Sequence, residues 1–166
     1  MNLEKIKEYV KIKHGKQRRK QGTPYYLHPY AVAEILKNKG FDEEYQATGL
    51  LHDILEDTNG KQEEILSLSN NKVLQAVLLV TKEKDYNMQD YITRIEKNDI
   101  AKMVKLADRY HNLKESLLTK PSFKKKYIKE TEKWYIKMAE GTCFEEDIKE
   151  VFENLKNSLE KDGSIL

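Results

Sequence analysis

The stretch Leu50-Leu-His-Asp-Ile-Leu-Glu-Asp-Thr58 sets an imidazole and three carboxylates close together, at His52, Asp53, Glu56 and Asp57. On a helix turning about 100° per residue, with His52 at zero, Glu56 falls near ~40°, Asp53 near ~100° and Asp57 near ~140°. Ala47, Leu50, Leu51, Ile54 and Leu55 fill the opposite arc, and Gly49 projects into the polar wedge without a side chain. A solvated acidic face is one reading. Against it, Asp53 and Asp57 are like charges at i, i+4, which costs about a few tenths of a kcal/mol. A divalent cation over the wedge reverses that sign, and imidazole with carboxylate is a donor set that such ions accept.

A second constellation lies between Asp99 and Leu118. Ile100, Met103, Val104, Leu106, Ala107, Tyr110, Leu113 and Leu117 spread around more than half of that helix, so it should be central to the fold, yet Lys105, Asp108 and Asn112 share the remaining arc. A buried carboxylate needs a metal, a counter-ion or several hydrogen bonds. A Lys105–Asp108 ion pair at i, i+3 is the simplest of these. The third constellation is the loop from His14 to Pro29, with Lys16, Arg18, Arg19 and Lys20 ahead of His28. Guanidinium groups bind phosphate in bidentate fashion and stack on rings, so the loop suits a phosphate or a purine face, although a basic loop can also be merely solvated.

The elements that must position these groups read as helical throughout. The spacing predicts helices from about Asn2 to Lys13, from Pro29 to a cap at Gly40, and from an Asp42 cap in one piece to about Thr58. Further helices are predicted near Gln62–Ser67, Lys72–Lys82, Met88–Lys97 and Asp99–Leu118, with Pro121 breaking the last. Another should run from Phe123 to Glu140, and a Thr142/Glu145 capping box should open the final one. No alternating β-branched run supports a strand, so the fold class is all-α.

The 166 residues suffice for about one domain, and 39% hydrophobic against 35% charged residues allows a single core. No stretch approaches a membrane span, and the lone Cys143 cannot form an internal disulfide, which fits a reducing, cytoplasmic setting. A net charge of +2 is too balanced to imply nucleic-acid binding. It is unevenly placed: no acid occurs between Tyr9 and Ala33.

His28, the His52-Asp53 pair and Asp108, in that order, resemble the HD superfamily of metal-dependent phosphohydrolases. Gln17-Arg-Arg-Lys-Gln-Gly-Thr-Pro-Tyr-Tyr-Leu-His-Pro29, the Leu50–Thr58 stretch and Val104-Lys-Leu-Ala-Asp-Arg-Tyr-His-Asn-Leu113 narrow the likeness. They are similar to the hydrolase domain of the Rel/SpoT alarmone enzymes and the small alarmone hydrolases. The resemblance implies a compact multi-helix bundle, residues 1–166 forming a single HD domain, and one divalent ion, usually manganese (Mn2+), held by His28, His52, Asp53 and Asp108. It implies that Glu56 and Asp57 position and activate the attacking water. It implies further that Arg19, Lys20, Lys105 and Asn112 bind the substrate, a small nucleotide. The reaction implied is removal of the 3′-pyrophosphate from guanosine 3′,5′-bis(diphosphate) or the pentaphosphate, giving GDP or GTP and pyrophosphate.

The chain departs from the family pattern in its middle, where Val80-Thr-Lys-Glu-Lys-Asp is followed by a short segment, and at Glu115, an acid near the expected polyphosphate. Two alternatives therefore stand beside the alarmone reading: a phosphohydrolase for NADPH or nucleoside monophosphates, and a non-catalytic nucleotide-binding module. No synthetase module fits in this length, and the oligomeric state is not legible.

Overall fold

The computed structural model describes residues 1–163. Every regular element among them is helical, in agreement with the all-α reading. Helix α1 (Leu3–His14) begins where Asn2 Oδ1 accepts the Lys5 amide at 3.1 Å. The basic loop that follows is tied by an antiparallel bridge between Arg18 and Pro24 and by the Arg19 amide donating to the Thr23 carbonyl at 2.9 Å. α2 (Leu27–Asn38) starts two residues before Pro29. Proline is tolerated there because first-turn amides have no intrahelical acceptor to lose.

α3 (Glu43–Leu51) is capped by Asp42, whose Oδ1 accepts the Glu44 amide at 2.9 Å. It does not continue to Thr58. The chain breaks at His52 and Asp53 and resumes as the short α4 (Ile54–Asp57). At the break His52 Nδ1 donates to the Gly49 carbonyl at 2.7 Å, the acceptor that the Asp53 amide would use in an unbroken helix. Gly49 does not project into the polar wedge either. A Cβ there would stand 3.0 Å from Leu36 Cδ1 and 3.3 Å from Val32 Cγ1, so the bare position lets α2 and α3 approach closely.

α5 (Gln62–Leu68), α6 (Asn71–Val80) and α7 (Met88–Glu96) lead to α8 (Asp99–Ser116), the central helix. Val104, Leu106, Ala107 and Leu113 are inaccessible to solvent, and full burial of a leucine such as Leu106 is worth about 1.5–3 kcal/mol. α9 starts earlier than expected, over Pro121–Glu130, with Pro121 at its first position. A π-helical turn (Thr131–Tyr135) then separates it from α10 (Ile136–Ala139), so the single helix expected to Glu140 is interrupted. The Arg109 guanidinium of α8 stacks 4.1 Å from the Tyr135 ring at this turn. α11 (Glu145–Lys161) opens without the expected box. The Glu145 carboxylate reaches back to the Gly141 amide at 2.8 Å, and the Thr142 hydroxyl accepts the Phe144 amide.

One apolar core gathers α8 with α9 to α11, and a second gathers α1, α3, α5 and α6. α2, α3 and α8 pack on one another, so polar groups on their facing surfaces converge. No described helix is long and apolar enough to cross a membrane.

Candidate active site

His28 from α2, His52 and Asp53 from the α3–α4 break, and Asp108 from α8 meet at one point. His28 Nε2 lies 2.9 Å from Asp108 Oδ1 and 3.8 Å from Asp53 Oδ2. His52 Nε2 lies 3.1 Å from Asp53 Oδ2 and 3.7 Å from Asp108 Oδ1. The donor atoms of His28, His52 and Asp108 all lie within 4.8 Å of one another, and Asp53 reaches both imidazoles. A carbonyl can only accept, so the Gly49 bond places a proton on His52 Nδ1 and turns Nε2 toward Asp53 and Asp108. That nitrogen is buried, with the two carboxylates as its polar neighbours.

Electrostatics single out the same spot. Burial opposes charge on Asp108, but Lys105, whose Nζ donates to Oδ2 at 2.8 Å, and the two histidines hold its carboxyl well below the usual range. Burial also opposes charge on Asp53, yet His52 and His28 lower its pKa. For His52 the carboxylates of Asp53 and Asp108 overcome burial and raise the imidazole well above its ordinary value. For His28 burial wins and lowers it. The centre attracts a cation, and its donors are the neutral His28 imidazole, two ionised carboxylates, and His52 Nε2, whose proton a metal ion would replace. That donor set fits a divalent metal ion.

Glu56 and Asp57 stand on the open side, held by groups the sequence did not signal. Glu56 Oε1 accepts the Lys82 backbone amide at 2.7 Å. The Tyr25 hydroxyl reaches Asp53 Oδ2 at 2.8 Å and Asp57 Oδ2 at 3.0 Å. Burial, with the charge of Asp53 behind it, raises the pKa of Asp57; burial likewise raises that of Glu56 against the Lys82 bond. A cavity of about 180 Å³ joins these acids to the His28–Asp108 cluster and is also lined by Arg19, Lys105 and Asn112.

Arg19 and Lys20 line an adjoining cavity of about 270 Å³, together with Asn112, Glu115, Phe123 and Tyr127. The acid that the sequence left unexplained has its counter-ion here: Arg19 Nε donates to Glu115 Oε2 at 2.8 Å. Arg19 Nη2 donates to Asn112 Oδ1 at 2.7 Å, and Asn112 Nδ2 to Asp108 Oδ1 at 2.8 Å. Lys20 Nζ sits 5.3 Å from the Phe123 ring centroid, so cation and aromatic face line one wall. His111 was also missed; burial and the neighbouring His28 push it down to about 4, so it is neutral at physiological pH.

Known proteins with this pattern agree with the resemblance. The chain is 35% identical over 145 residues to a guanosine-3′,5′-bis(diphosphate) 3′-pyrophosphohydrolase of Aquifex aeolicus, covering 82% of this chain and 21% of that protein. It is 32% identical over 164 residues to the GTP pyrophosphokinase rsh of Brucella ovis, covering 92% and 22%. The chain thus spans about a fifth of the length of these relatives. A solved structure described as a metazoan ortholog of SpoT that hydrolyzes ppGpp superposes with a TM-score of 0.79 at 28% identity, covering 92% of this chain and 94% of that one. Residues 7–142 match the HD domain family, and the chain belongs to that family.

Proposed function

We propose that this chain is a metal-dependent phosphohydrolase that removes the 3′-pyrophosphate of guanosine 3′,5′-bis(diphosphate)-type alarmones, releasing pyrophosphate and GDP or GTP. The observation that carries the reading is the convergence of His28, His52, Asp53 and Asp108 at one buried point, between an acid pair on one side and a basic pocket on the other. The activities printed for the Aquifex and metazoan relatives supply the substrate class.

His28, His52, Asp53 and Asp108 would hold one divalent ion, manganese by preference. When bound, that ion supplies Lewis acidity toward a phosphate oxygen and lowers the pKa of water. The remaining work belongs to the chain. Glu56, aimed by the Lys82 amide, orients the attacking water and accepts its proton, and Asp57 shares the task under the Tyr25 hydroxyl. Tyr25 keeps its proton, because burial and the nearby Asp53 raise its pKa, so it remains a donor. Lys105 neutralises Asp108 and adds positive charge beside the phosphates. Arg19, Lys20 and Asn112 bind the guanosine end, and the Arg19–Glu115 pair removes the repulsion that a bare Glu115 would present.

Ion-exchange analysis of products from guanosine polyphosphates, NADPH and nucleoside monophosphates, with added manganese, tests the reading. Pyrophosphate released from the guanosine bis-diphosphate is the expected result. Orthophosphate from NADPH or a monophosphate would move the chain to that other substrate class, and absence of turnover would leave a binding module.

A further inference from the structure

His111 takes no part in the site as described, yet its Nδ1 lies 2.8 Å from His28 Nδ1, with the ring centroids 5.0 Å apart. At that distance one nitrogen donates and the other accepts, so the two rings constrain each other's tautomers. His28 Nε2 is the nitrogen that faces Asp108 and Asp53. For Nε2 to offer a lone pair to a cation, the His28 proton must sit on Nδ1, and His111 Nδ1 must accept it. A neutral His111 then carries its own proton on Nε2, the nitrogen facing Glu115 Oε1 at 3.7 Å. The opposite arrangement holds the same two protons but places one on His28 Nε2, where it blocks the lone pair. Ionised Glu115 attracts the Nε2 proton of the first arrangement; Asp108 Oδ1, 2.9 Å from His28 Nε2, attracts that of the second, and a cation bound to the carboxylates leaves only the first. Arg19 and the chain through Asn112 to Asp108 Oδ1 fix Glu115 in turn. Hydrogen bonds, with the 3.7 Å His111–Glu115 contact between them, run from one candidate ligand to another through the wall of the basic pocket.

We propose that His111 is a positioning residue that holds His28 in its Nδ1-protonated, metal-ready tautomer and links that ligand to the Glu115–Arg19 wall. The assignment rests on the reading of His28 as a metal ligand. Outer-shell partners of this kind are typically worth about 10–100-fold in metal affinity.

The test compares His111→Asn with His111→Leu, which have nearly the same shape but differ in that the Asn carboxamide oxygen can accept the His28 Nδ1–H. Manganese(II) affinity is measured by chelator competition on the full chain, with thermal unfolding of the metal-free proteins as a check on folding. The expected result is a loss of roughly 10–100-fold for His111→Leu, with His111→Asn closer to wild type than to the Leu variant. Equal weakening by both variants makes His111 a packing residue and overturns the proposal, as does native affinity in His111→Leu. His28→Ala separates the two levels: if it binds manganese as tightly as wild type, the reading of His28 itself fails.

Discussion

The α3–α4 break and the α8 helix deliver candidate ligands to the same point by different means. α8 is continuous and buried, and Asp108 finds partners on its own helix: Lys105 Nζ at 2.8 Å and Asn112 Nδ2 at 2.8 Å. At the break, adjacent residues converge instead, with His52 Nε2 and Asp53 Oδ2 3.1 Å apart, although neighbours on an intact helix diverge by about 100°. The partners there come from other segments: the Gly49 carbonyl for His52, Tyr25 for Asp53 and Asp57, and the Lys82 amide for Glu56. A buried helix that carries its own counter-charges gives a fixed anchor. A broken one turns two donors inward and leaves Glu56 and Asp57 exposed toward the cavity.

Substitutions on each side should separate these roles. The largest effect is expected from Asp108→Ala, which strands the Lys105 ammonium in the interior; removing one partner of a buried pair costs about 3–5 kcal/mol. Urea unfolding of the metal-free variant measures that loss, and elemental analysis should find its ion gone. Next comes the double replacement Arg19→Ala/Lys20→Ala. It removes charge-assisted contacts worth about 1.5–3 kcal/mol each and should raise KM roughly 10-fold or more with metal content unchanged. It also leaves Glu115 unpaired, so adding Glu115→Gln should recover part of the loss in steady-state kinetics.

A smaller effect is expected just beyond α4. A Cβ on Gly60 would lie 2.3 Å from Ile54 Cγ2, so Gly60→Ala must shift α4 at a cost of about 1–3 kcal/mol. Its turnover should fall while its ion stays, because α4 carries the acid pair and α8 is untouched. The smallest effect concerns pH. Burial raises the Glu56 pKa in the folded chain, so its ionised form disfavours the fold above that pKa, and the penalty fades as pH falls through it. In metal-free protein, Glu56→Gln should therefore be slightly more stable than wild type at neutral pH and equal to it in acid, by denaturant titration at both.

The α8 side of this comparison was legible in the sequence, since Lys105, Asp108 and Asn112 keep helical spacing on the one polar arc of an apolar helix. The break was not. A helical projection assumes an unbroken ladder, and it set Gly49 among the acids, whereas its bare face packs against Val32 and Leu36. Nor could spacing find the partners of the acid pair. Lys82 contributes a backbone amide, which every residue except proline has, and Tyr25 acts on residues 28 and 32 positions away. The pairing of Arg19 with Glu115, 96 residues apart, turned an apparent departure from the family pattern into part of the pocket wall.

The central claim is that one broken helix separates holding the ion from activating water. It is tested most directly by metal content and kcat measured side by side on His52→Ala and Glu56→Gln. The expected result is that His52→Ala fails to retain a divalent ion, whereas Glu56→Gln keeps one per chain and slows by roughly 10²–10⁴, the usual contribution of a general base. Loss of the ion from Glu56→Gln, or its retention in His52→Ala, would contradict the account.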